Sequence, residues 1–217
     1  QPARAGPVGR GAIRTGSARR LHWRCMNQLV ANAPVVYHLR PLRAGAHLYE
    51  VTCRIEQPSP DGQLLSLPAW IPGSYLVRDY ARHVVQFQAE SGGEPVAARK
   101  LDKHTWRAAP VPGELLVRMH VYAADPSVRG AWLDAHQGFV NGVCVFLRVH
   151  GQEQAPAVVH IDPPEFQSHA AGAAWRLSTG LQRLTGGQGE FGACWASSYN
   201  DLIDQLVLMG QLVTGEY

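Results

Sequence analysis

Residues 47–56 alternate without a break. Tyr49, Val51, Cys53 and Ile55 point one way, and Glu50, Thr52, Arg54 and Glu56 the other. A period of two puts the two sets on opposite faces of an extended chain, so this is a half-buried β-strand with one wet face. A helix, repeating every 3.6 residues, would scatter both sets around its circumference. The pattern returns in residues 114–123, where Leu115, Val117, Met119 and Val121 oppose Leu116, Arg118, His120 and Tyr122. It returns again in residues 84–90, with Val85, Phe87 and Ala89 on one side. Shorter strands are predicted at 63–69, 96–101, 104–108, 143–149, 157–161 and 173–177, parted by Pro/Gly turns such as 58–62 and 91–95. Residues 125–142 and 179–192 read as irregular. Many short strands at this spacing predict an all-β fold, an antiparallel β-sandwich with irregular Pro/Gly-rich loops. The one helical signal comes late. Ser198-Tyr-Asn-Asp201 resembles a capping box, followed by Leu202, Ile203, Leu206, Val207 and Met209 at helical spacing and Gly210 as a terminator. A short C-terminal helix is expected there.

Composition removes several function classes. No apolar run approaches the roughly 18 residues of a membrane helix, so no membrane partner is expected. Cys25, Cys53, Cys144 and Cys194 form no Cys-x-x-Cys pair. That argues against a zinc knuckle or a dithiol site and fits reduced thiols in the cytoplasm. The formal charge of +3 is uneven: no acidic residue precedes Glu50, while Arg4, Arg10, Arg14, Arg19, Arg20 and Arg24 crowd the start. Removing those six leaves 14 basic against 17 acidic residues, a net of −3. The body is mildly acidic, and no nucleic-acid partner is expected. Residues 1–25 read as a disordered, Arg-rich leader or as upstream sequence, with Met26 the favoured start.

The least regular stretch runs from Leu67 to Val84. Pro68 and Pro72 each remove a backbone donor and Gly73 permits a sharp turn, so no regular ladder can run through it. Trp70, Pro72, Gly73 and Tyr75 are read as its structural motif, with Trp70 and Tyr75 as anchors. Arg78, Asp79, Arg82 and His83 follow as a polar surface. Catalytic signatures are missing. There is no His-Glu-x-x-His, the ten histidines are scattered, and Ser74, Asp79 and His83 lack the Gly-x-Ser-x-Gly setting of a hydrolase nucleophile. No phosphate loop is present. Two polar groups in irregular segments remain as candidates: Arg78 with Asp79, and Asp134, His136, Gln137 and Asn141 around Gly138-Phe139. For each residue, binding and simple loop closure both stand as readings.

The segment Leu67-Pro-Ala-Trp-Ile-Pro-Gly-Ser-Tyr-Leu-Val-Arg-Asp-Tyr-Ala-Arg-His83 closely resembles the signature of the amino-terminal domain of glycyl aminopeptidases, peptidase family M sixty-one. Tyr37-His-Leu-Arg40, Asp102-Lys-His-Thr-Trp106, Tyr122-Ala-Ala-Asp-Pro-Ser-Val-Arg-Gly130, Leu133-Asp-Ala-His-Gln-Gly-Phe-Val-Asn-Gly142, Phe146-Leu-Arg148 and Tyr199-Asn-Asp-Leu-Ile-Asp204 follow in the expected order. Two places depart from the family pattern. A second aromatic and a hydroxyl residue are missing from Gly138-Phe-Val-Asn-Gly-Val143, and Gln205-Leu-Val207 stands where the family has His-Pro-Val.

The resemblance implies the amino-terminal β-domain (residues 26–210) of a thermolysin-like zinc aminopeptidase that releases Gly or Ala. Residues 211–217 would begin the link to a catalytic domain. The zinc ligands and general base of the family lie in that following domain, so no metal or catalytic residue is carried over and the chain alone is expected to be inactive. Its partners would be its own catalytic domain and, in the whole enzyme, a peptide substrate. Arg78, Asp79, Gln137 and Asn141 are the residues expected to face the cleft or the domain interface. The rival expectation is a free-standing β-sandwich that binds carbohydrate or protein, with Trp70, Trp132 or Trp175 as a flat platform.

Overall fold

The computed structural model describes residues 33–71, 74, 76–165 and 175–212. The expected leader, Pro72, Gly73, Tyr75 and most of the expected link lie outside them. The chain up to Tyr122 contributes β1 (Val35–Arg43), β2 (Leu48–Ile55), β3 (Leu64–Ser66), β4 (Val84–Ser91), β5 (Glu94–Val96), β6 (Ala98–Lys100), β7 (Thr105–Ala108) and β8 (Leu115–Tyr122). The second half adds β9 (Ala131–Leu133), β10 (Gln137–Asn141), β11 (Arg148–Val149), β12 (Ala157–Ile161), β13 (Arg176–Thr179), β14 (Gln182–Arg183), β15 (Gly192–Ala196) and β16 (Leu206–Gly210). One short helix, α1 (Tyr199–Ile203), precedes β16. No helix among the described residues is long and apolar enough to cross a membrane.

The strands form an eight-stranded sheet, ordered β14-β15-β12-β1-β2-β8-β4-β5, and two four-stranded sheets, β13-β16-β10-β9 and β11-β3-β7-β6. Alternation decides which face is dry. Tyr49, Val51, Cys53 and Ile55 of β2 and Leu115, Val117, Met119 and Val121 of β8 are all at most 1% exposed. They share one core with Leu65, Trp106, Leu133, Val140, Val207 and Met209 from the smaller sheets. Fully burying one such Leu, Val or Met is worth about 1.5–3 kcal/mol. At Gly138 the space between layers is filled, since a Cβ there would lie 2.8 Å from Met209 Cγ of the paired strand and against the Tyr49 hydroxyl of the large sheet. The opposite face of the large sheet is polar, with Arg40 paired to Glu50 at 2.7 Å and the His38 and His160 rings stacked at 4.5 Å. Burial of the Cys53 thiol pushes its pKa up to about 12, as expected of an inert core cysteine.

The sandwich is as expected, but several local expectations fail. β1 and β12 pair in parallel, so the large sheet is mixed. Val85 is 61% exposed: the β4–β8 register slips between Val84 and Gln86, and this bulge turns Val85 outward. Residues 125–142 are not simply irregular, because β9 and β10 form a hairpin within them. Residues 143–149 are not one strand. The Asn141 Oδ1 accepts the Val143 N–H and Gly142 O accepts the Val145 N–H at 3.3 Å, which coils the start into a 3₁₀ turn. Residues 143–147 are then buried on every side rather than alternately. The strand expected at 173–177 begins at Arg176 and runs to Thr179. Helix α1 ends at Ile203, and Leu206–Gly210 is a strand held between β10 and β13, so Gly210 terminates no helix. Val207 and Met209 face inward while Leu206 and Leu208 stand exposed, a period of two hidden in an all-apolar run.

Candidate functional site

The motif segment leaves the sheet at a neck. Leu67, 1% exposed, donates its N–H to the His104 carbonyl at 3.0 Å. Ala69 O then accepts the N–H groups of Arg78 at 2.7 Å and Asp79 at 3.2 Å, which closes the intervening residues into an excursion. Asp79 takes a left-handed conformation (φ 48°), tolerable for Asp, and turns the chain into a 3₁₀ turn, Tyr80–His83. Tyr80 and Ala81 are buried there. Trp70 is not: it is 56% exposed, like Leu76 at 59% and Val77 at 64%. The neck closes one residue before Trp70, so its ring goes out with the excursion and the buried anchor is Tyr80.

Behind the neck is a cavity of about 20 Å³, lined by Arg78, Tyr80, Arg82, His83, Tyr122 and Asp125 among others. Burial pushes the Tyr80 phenol up to about 12. Burial also works to raise the Asp125 carboxyl. The Ser127 N–H at 2.9 Å, the Ser127 hydroxyl and the nearby Arg78 and His83 outweigh it and hold the group below the usual carboxylate range. His83 is shifted down by burial and then by Arg82, whose Nε donates to His83 Nε2 at 3.1 Å. Gly130 is pressed against this site, since a Cβ there would come within 2.7 Å of Asp125 Cβ.

A second concavity, an open groove of about 540 Å³, runs between the motif segment and α1. Ile71, Val143 and Ile203 give it an apolar floor, and Asn141, Asp201 and Asp204 a polar, acidic rim. Ser198 caps α1, accepting the Asp201 N–H, and Asp201 in turn accepts the Ser197 N–H at 2.8 Å and hydroxyl at 2.9 Å. The helix start therefore fixes one wall.

The four expected site residues do not converge. Arg78 lines the inner cavity. The Asp79 carboxylate meets Lys103 Nζ at 3.3 Å on the surface. Asn141 is on the groove rim, but its amide already serves the loops: Nδ2 donates to Val128 O at 3.1 Å and Oδ1 accepts from Val143. Gln137 is exposed at the far end of the same outward face of β10, its N–H given to Asp134 Oδ1. What the fold does bring together is Asn141 with Ile71 of the motif segment. The sequence reading missed Tyr80, Asp125 and the acidic rim. Asp125-Pro-Ser127 carries the pattern of a side chain capping its own turn, but nothing in it points to Arg78. Among the described residues no three His, Cys, Asp or Glu side chains are placed to hold a metal ion.

Residues 36–211 match the family model described as the peptidase M61 N-terminal domain. Among solved structures, an aminopeptidase N family protein from Idiomarina loihiensis is similar at a TM-score of 0.80 and 37% identity, over 84% of this chain and 30% of that one. An M1 zinc metallopeptidase from Deinococcus radiodurans is similar at a TM-score of 0.45 and 13% identity, over 81% of this chain and 41% of that one, a likeness too slight to bear on function. No curated protein matches. The chain thus spans less than a third of the Idiomarina relative.

Proposed function

The chain belongs to the peptidase M61 N-terminal domain family, and from that premise we propose that it is the non-catalytic β-domain of a zinc metallo-aminopeptidase releasing amino-terminal Gly or Ala. In this reading it packs on a catalytic domain and helps wall the cleft. The observation that carries it is the exposed apolar excursion: Leu76 and Val77 stand more than half exposed in the segment that contributes Ile71 to the groove. Solvent-facing apolar side chains in a segment that also lines a groove mark an interaction face. Zinc belongs to the catalytic domain in this reading, where it would activate the attacking water. The work of this chain's own residues is to bind and orient: Leu76 and Val77 as the docked face, and Arg78, Asp79, Gln137 and Asn141 toward the cleft or interface. Three buried free thiols, Cys53, Cys144 and Cys194, support a cytoplasmic setting. Of the three tryptophans that could form a flat aromatic platform for sugar, Trp175 is 6% exposed and the Trp132 indole N–H is bound to Asp134, which leaves Trp70, 56% exposed, to serve alone.

The test is the full-length enzyme carrying Leu76→Ser and Val77→Ser. Exposed side chains contribute within about 0.5 kcal/mol to the domain's own stability, so its melting should hold while hydrolysis of Gly- and Ala-anilides falls. Unchanged kcat/KM would remove the docking role. One tightly held zinc per isolated chain would overturn the non-catalytic reading outright.

A further inference from the structure

Tyr80 Oη and Arg78 Nε are buried in the wall of the 20 Å³ cavity without a hydrogen-bond partner among the described residues. Tyr80 is 3% exposed, and burial of its phenol keeps it protonated and able to donate. Leaving a hydroxyl and a guanidinium N–H unpaired inside a protein is costly, more so for the charged group. The volume is informative, since about 10–15 Å³ of such space accommodates one water molecule. So is the chemistry of the lining. Arg78 Nε can only donate, the Asp125 carboxylate can only accept, and the Tyr80 hydroxyl can do either. A simple anion could satisfy Arg78 but would face Asp125, and a metal cation would face Arg78. Water satisfies all three.

We propose that this cavity is a hydration site for one ordered water, which accepts from Arg78 Nε, donates to the Asp125 carboxylate and completes its bonds with the Tyr80 hydroxyl. The water then joins the neck of the 67–84 segment to the loop that leads into β9, and it holds Arg78 at one orientation. The proposal stands whether or not the chain serves a peptidase.

Tyr80→Phe tests it by sign. A hydroxyl with no partner is better removed, so the urea midpoint would rise or stay level. A hydroxyl that completes a water's bonds is missed, so the midpoint should fall. A level or raised midpoint overturns the proposal. Diffraction from the wild-type protein, with and without a bromide soak, supplies the second arm and decides alone should the variant not fold. An oxygen-sized peak within about 3.2 Å of Tyr80 Oη and Arg78 Nε, with no anomalous signal after soaking, is expected. Bromide in the cavity, or a cavity left empty, overturns it.

Discussion

Two successive carbonyls in the buried run 143–147 are each taken by a tyrosine from a different element. Tyr37 of β1 donates to Leu147 O at 2.6 Å, and Tyr199 of α1 donates to Phe146 O at 3.0 Å. Tyr37→Phe removes one oxygen and little else. The ring is 2% exposed and keeps its edge-on contact with Phe146 at 5.4 Å, so no packing is lost and the cost belongs to a buried carbonyl, and secondarily the Cys53 thiol, deprived of this hydroxyl. Such a group costs about 1–3 kcal/mol, and the short bond argues for the middle of that range, about 2 kcal/mol. For a domain of this size each kcal/mol moves the melting temperature by about 2–4 °C, so the expected drop is about 4–8 °C. Tyr199→Phe, with the longer bond, should cost about 1 kcal/mol. Because both hydroxyls hold one short segment, the double variant should depart from additivity by about 0.5 kcal/mol or more. Thermal and urea unfolding followed by circular dichroism would measure all three. Burial raises both phenols above their ordinary range. A raised folded-state pKa gives a contribution that is whole below about pH 10 and lost above it, so the penalties should match at pH 7 and pH 9. A Tyr37→Phe melting temperature within about 1 °C of the parent would refute the idea that these hydroxyls, rather than apolar burial alone, fix the run.

Gly138→Ala should destabilise by about 1–3 kcal/mol through overpacking, because the new methyl would lie 2.8 Å from Met209 Cγ and against the Tyr49 hydroxyl; unchanged urea unfolding would show that the layers part easily there. Burial works to raise the Asp134 carboxyl, but the Trp132 indole N–H and the Gln137 and His136 amides hold it below the usual range. A depressed folded-state pKa gives stability that is present above about pH 4 and lost as the pH falls further. Asp134→Ala should therefore cost about 1 kcal/mol at pH 7 and lessen the acid-side loss, and an unaltered pH–stability curve would contradict this.

The strands were legible where one face is wet and the other dry. β2 and β8 alternate for eight residues each and sit where that pattern puts them. Legibility failed where burial is two-sided. In 143–147 and 206–210 every side chain is apolar or nearly so, and period two, period 3.6 and coil look alike until neighbouring strands choose. Val85 failed for another reason: a bulge is a property of a pair of strands, and one strand's sequence does not contain it. The candidate site was legible only as segments. Arg78 and Asp79 were found from local irregularity, yet Arg78 shares a cavity with Asp125 across 47 positions of chain, and no spacing rule spans that. Trp70 was misplaced because an aromatic beside prolines reads as an anchor. Whether it points in or out depends on a neck closed by backbone bonds to Ala69.

The parallel pairing of β1 with β12 sets an order on how this molecule can be assembled. β1 lies inside the large sheet, with β2 on one flank and β12 on the other, and Val35 is opposite Ala157, more than a hundred residues later. Local hairpins such as β4–β5 can form as soon as their turns emerge, whereas β1 keeps a bare hydrogen-bonding edge until Ala157–Ile161 has left the ribosome. Contacts so distant along the chain close late and slowly, and an uncovered edge in the interim invites pairing with other chains. A shortened version ending before Ala157 would carry that open edge permanently.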